Sequence, residues 1–117
     1  MKKRTPSVII GDMLDSIAVI KQYTANLTED EFRQPGAVQD AIVRRLEIIG
    51  EAAYQLGDAT RARFPEIPWQ DVLGMRNRIV HGYHKLALSI VWDTIQQDLP
   101  PLELQLRDIL QRISPGE

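Results

Sequence analysis

The chain has 117 residues, 44% of them apolar and 26% charged, with a net charge of −2 and no cysteine. That length fits a single domain, 1–117, with a core of its own, and the composition excludes a disordered chain. The acidic balance excludes a wholly basic nucleic-acid binder but leaves room for a local basic site, and the lack of cysteine points to a reducing cytoplasm.

The chain opens on "MKKRTP", which is basic, yet Asp12 and Asp15 interrupt the apolar residues that follow, so no secretory leader is expected. No run reaches the roughly 18 apolar residues of a membrane span. Thr5-Pro6 reads as an N-cap and a first-turn proline. Ile10, Met13, Leu14, Ile17 and Ile20 then recur at helical spacing, which predicts an amphipathic helix to about Ala25.

Thr28 to Glu31 has the capping-box pattern Thr-x-x-Glu and predicts a short helical turn that Pro35-Gly36 stops. In the third helix Val38, Ile42, Leu46, Ile49, Ala53 and Leu56 form an apolar stripe, and Gly57 sits where a C-cap glycine is expected. Gly50, Ala52 and Ala53 are small enough to admit another helix closely. A polar line, Arg44, Glu47, Glu51 and Gln55, follows the same helix. Its two carboxylates at i,i+4 call for a nearby cation. The bland reading is an ion-pair network holding this helix to the one expected from Pro68 to Gly82, and the functional one has Arg44, Glu47 and Glu51 facing a cleft that the latter helix lines.

Asp58 is placed to cap a short helix through Phe64. Pro65 stops it, and Pro68 starts a further helix expected to run through Trp69, Val72, Leu73, Arg76 and Val80 to Gly82. A loop is expected from His84 to Ala87, with Ser89 capping a helix through Ile90, Val91, Ile95 and Leu99. Pro100-Pro101 must kink or break that helix before the spacing resumes at Leu102, Leu106, Ile109, Leu110 and Ile113. With no period-two alternation, the expected fold is all-α: an up-and-down bundle of four main helices plus short ones.

Cations concentrate in "GMRNRIVHGYHK", Gly74 to Lys85, which also holds both histidines. On a helix, Asn77, Arg78 and His81 share one side. Arg76, five residues before His81, sits roughly 140° around the axis, within reach of a common ligand. Gly82 then frees the backbone, so that Tyr83 projects from the helix end. Taken alone, this is most simply a charged helix terminus complementing its dipole. The spacing of His81 and His84 makes a poor metal site, because a turn intervenes and no cysteine is present. The chemical reading is RNA cleavage without a metal. Arginine presents a planar fork to phosphate oxygens, and histidine exchanges protons near neutral pH.

"RNRIVHGY" resembles the R-x4-H-x-Y motif of HepT-like proteins, toxin members of the HEPN superfamily. "RRLEIIGEAA" (44–53), "FPEIPWQDVLGMRNRIVHGY" (64–83), "IVWDTIQQDLP" (90–100) and the opening "GDMLDSIAVIKQYT" also resemble family segments, in the family's order. The resemblance implies a helical homodimer whose two motifs line one cleft, and a metal-independent ribonuclease with no cofactor. It also implies a partner, an MNT-type nucleotidyltransferase antitoxin that silences the toxin by transferring AMP to the motif tyrosine. Carried over, Arg76 and His81 become catalytic and Tyr83 the AMP acceptor, with Asn77 in the polar position after the motif arginine; from their own chemistry Asn77 and Arg78 are expected to support the RNA. "HKLAL", His84 to Leu88, departs from the family, lacking the acidic residue relatives often carry there. Two other readings use the same residues: a non-catalytic helical binding subunit of a nucleotidyltransferase complex, and a plain helical dimer with a decorated helix end.

Overall fold

The computed structural model describes residues 4–76, 85–113 and 116–117, with side chains of 85–87 left aside. The described residues are all-α and contain no strand. In chain order they form α1 (Pro6–Thr24), α2 (Glu29–Phe32), α3 (Ala37–Ala62), α4 (Trp69–Gly74), α5 (Lys85–Asp93), a π-helical turn (Thr94–Asp98) and α6 (Leu99–Arg112). No described helix is long and apolar enough to cross a membrane.

Local chemistry sets the boundaries. Thr5 accepts a hydrogen bond from the Val8 amide, with Pro6 as the first helical residue of α1. At α2 both halves of the capping box close: the Glu31 amide donates to Thr28 Oγ1 (3.1 Å) and the Thr28 amide to Glu31 Oε1 (2.9 Å). Within α3, Gly57 has φ 82° and ψ 159°, a conformation glycine adopts cheaply. The expected helix end is therefore a kink, and the Asp58 helix continues from it as the last turns of α3.

The chain meets Pro100 and Pro101 without a break. A proline lacks the amide hydrogen and its ring clashes with the carbonyl four residues back, at Gln96 and Gln97 here. Those residues lie in the π-helical turn, whose wider winding relieves both problems before α6 begins. Two expectations are corrected. Helix begins at Lys85, so the expected loop is already helical from that residue and Ser89 lies inside α5. Val38 and Ile90, expected on apolar faces, are 42% and 47% exposed.

Cross-helix bonds give the topology. Arg4, before α1, donates to Gln55 near the end of α3. Lys21, near the end of α1, pairs with Glu103 at the start of α6 (3.1 Å). Ser7 Oγ donates to the Glu117 carbonyl beyond α6. Thus α1 runs antiparallel to both α3 and α6, as an up-and-down bundle requires. Ile10, Met13, Ile17 and Ile20 of α1, Ile42, Leu46 and Ile49 of α3, and Leu106 and Ile109 of α6 are all buried in one core. Phe32 of α2 meets Trp92 of α5 with ring centroids 5.5 Å apart.

Candidate functional site

The segment leading to the motif is anchored before the motif begins. Phe64, Ile67 and Val72 are buried, and Trp69 Nε1 donates to the Phe64 carbonyl (2.9 Å). This fixes the first turn of α4 against the end of α3. The chain continues through buried Met75 to Arg76, whose amide is 3.4 Å from the Leu73 carbonyl.

Arg76 then rests on α3. A methyl group added at Gly50 would lie 2.6 Å from the Arg76 backbone nitrogen, 3.0 Å from its Cβ and 3.2 Å from its Cα. Only glycine admits the motif backbone at that distance. The close approach foreseen for the small residues of this helix therefore occurs at Gly50, and Arg76 is what approaches. One turn further on, the Arg76 guanidinium carbon sits 4.3 Å from the centroid of the Tyr54 ring. That is well inside cation–π range. Among the described residues no carboxylate forms a salt bridge with Arg76.

Asn77, Arg78, His81 and Tyr83, the other expected site residues, lie outside the described residues, as do Val80, Gly82 and His84. The two residues that meet Arg76 sit four apart on α3, on one face of the helix. Gly50 was legible as a small residue. Tyr54 was not singled out, though its spacing from Gly50 was a usable signal.

Among the described residues the polar line of α3 faces the start of α1, and the motif residues it was expected to meet lie outside them. Arg44 pairs with Glu47 (3.4 Å) within the helix. Arg44, Glu51 and Gln55 border a groove of about 180 Å³ whose other side is Arg4 and Asp12, which are themselves ion-paired. Among the described residues this network ties α3 to the start of α1. No group of described acidic or histidine side chains could hold a metal ion.

The family described as "Ribonuclease HepT-like" matches residues 13–109 of the chain. A Methanocaldococcus jannaschii protein named "Gamma-glutamylcyclotransferase and putative RNase" is 32% identical over 115 residues, covering 98% of this chain and 52% of that protein. The chain thus spans about half the length of this relative. A Thermococcus cleftensis protein named "Probable ribonuclease HepT" is 31% identical over 101 residues, 86% of this chain and 92% of that one. No solved structure matches. With a family match that runs from α1 into α6 and relatives aligned over most of its length, the chain belongs to the HepT-like ribonuclease family.

Proposed function

We propose that this chain is the toxin of a two-component toxin–antitoxin system, a metal-independent endoribonuclease that works in the cytoplasm as a homodimer. Membership of a ribonuclease family supplies the reaction class. The observation that carries the reading further is the state of Arg76: its backbone is wedged on Gly50 and its guanidinium lies on an aromatic face rather than in a described ion pair. Its donors are therefore not consumed by a described carboxylate and suit a phosphodiester.

In this reading Arg76 stabilises the charge that develops on the phosphate oxygens as the RNA backbone is attacked. His81 takes the proton of the attacking 2′-hydroxyl or delivers one to the leaving oxygen. Asn77 and Arg78 support the RNA. Tyr83 is the acceptor for AMP from an MNT-type nucleotidyltransferase antitoxin. A bulky anion there pairs with the neighbouring cations and excludes the substrate phosphate.

The experiment is cleavage of total RNA in the presence of a metal chelator, by purified wild type and by His81→Ala, Arg76→Ala and Arg76→Lys. All three variants are expected to remain folded and to lose cleavage, Arg76→Lys because a point charge cannot reproduce the bidentate fork. Undiminished cleavage by His81→Ala sinks the assignment, and RNA binding without cleavage by wild type identifies a binding subunit instead. For the silencing step, Tyr83→Phe retains cleavage and resists neutralisation by the co-expressed antitoxin, with intact mass showing AMP on wild type only.

A further inference from the structure

We propose that Tyr54 is a positioning residue for Arg76, acting through its ring, and that Gly50 and the kink at Gly57 exist to present that ring. The inference rests on the reading that Arg76 contacts the scissile phosphate. An arginine side chain has many rotamers, and a catalytic one gains when its fork is aimed in advance. Two means of aiming are available to a protein. A carboxylate partner aims the fork but occupies its N–H donors. An aromatic face holds the cation by the ring quadrupole and leaves those donors free. The second arrangement is present here, with the guanidinium carbon 4.3 Å from the Tyr54 centroid.

Three further observations show that the ring's position is itself supported. Gly50, one turn earlier on α3, brings the Arg76 backbone against the helix, so the side chain starts close to the ring. The non-helical φ and ψ at Gly57 kink α3 just beyond the Ala53 and Tyr54 carbonyls. Arg61 Nη1 takes up both, at 2.6 Å and 3.1 Å, while its Nη2 pairs with Asp58. The turn that carries Tyr54 is thus capped by a side chain from beyond the kink. The tyrosine remains 54% exposed, which a residue serving only the core would not need.

The test compares Tyr54→Leu, Tyr54→Phe, Arg76→Ala and the Tyr54→Leu/Arg76→Ala double variant in cleavage of a defined RNA oligonucleotide. Because Tyr54 is half exposed, Tyr54→Leu is expected to melt like wild type. Its kcat falls about tenfold with KM within twofold, a loss within the range of a cation–π contact. Tyr54→Phe, which keeps the ring, restores wild-type kcat. The double variant is no slower than Arg76→Ala alone, since Tyr54 acts only through that arginine. As a readout independent of activity, the Arg76 side-chain resonances carry a ring-current shift that Tyr54→Leu abolishes and Tyr54→Phe keeps.

A raised KM at unchanged kcat means that the ring meets RNA instead and overturns the proposal. So does a double variant whose losses add, or an Arg76 resonance indifferent to Tyr54. If Arg76→Ala itself cleaves fully, the catalytic reading falls and the positioning role falls with it. If Arg76→Ala is inactive while Tyr54→Leu is fully active, only the positioning role falls.

Discussion

At the scale of single residues, the informative contact is between a residue with no side chain and one defined by its side chain. Gly50 is a poor helix residue by propensity, about 1 kcal/mol worse than alanine. Gly50→Ala would recover that amount, but its new methyl would stand 2.6 Å from a backbone nitrogen, which cannot swing aside as a flexible side chain can. Overpacking of this kind costs roughly 1–3 kcal/mol. The net expectation is a protein destabilised by about 0–2 kcal/mol, still folded, with Arg76 pushed off its seat and cleavage reduced more than tenfold. Urea unfolding and an oligonucleotide assay measure the two separately. A Gly50→Ala variant both more stable and fully active would show that the close approach has no bearing on the site. Of this contact the sequence shows a small residue on the third helix and an arginine in a motif. It does not pair them, because their 26-residue separation is closed only by how α4 lies on α3.

At the scale of elements, the ends of helices were the most readable features. Thr5-Pro6 and the Thr28–Glu31 box are local chemistry, decided by bonds spanning three residues, and both form as expected. The capping box also predicts a pH response. The Thr28 amide, then the Thr28 side chain, hold the Glu31 carboxyl below its ordinary value of 4.5. A carboxyl with a lowered folded pKa binds fewer protons in the folded state, so its contribution is complete above its unfolded pKa. It is lost as pH falls through the lowered folded value. The stability gap between wild type and Glu31→Ala should therefore be constant at neutral pH and close on acidification below about 4.5. Urea midpoints across pH measure it, and a gap that widens in acid contradicts this account. Thr28→Ala should cost about 1 kcal/mol. Less readable were starts set by packing. Ser89 looks like a cap because serine favours one. Yet α5 begins at Lys85, and the Ser89 hydroxyl accepts from Arg33 of the segment after α2.

At the scale of the whole molecule, all the described helices contribute to one core, and α3 supplies much of it. Ile49 is fully buried, one residue before the glycine that seats Arg76. Ile49→Ala should cost roughly 2–5 kcal/mol. It should also lower cleavage in proportion to the unfolded fraction, so that activity returns on cooling or with a stabilising osmolyte. Arg76→Ala should show no such recovery. Chemical denaturation paired with activity at two temperatures distinguishes a core defect from a site defect. The sequence alone determined the helical class, most of the apolar stripes, the caps at Thr5 and Thr28 and the family, because these follow from periods of three and four, from bonds within a turn, and from motif order along the chain. Only the tertiary structure decided what the polar line of α3 faces, how the paired prolines are passed, and what holds Arg76. The first and last depend on which surfaces meet across the bundle, and the second on how the backbone winds to clear a proline ring. A one-dimensional pattern marks a surface as small, polar or aromatic but cannot say which other surface it touches.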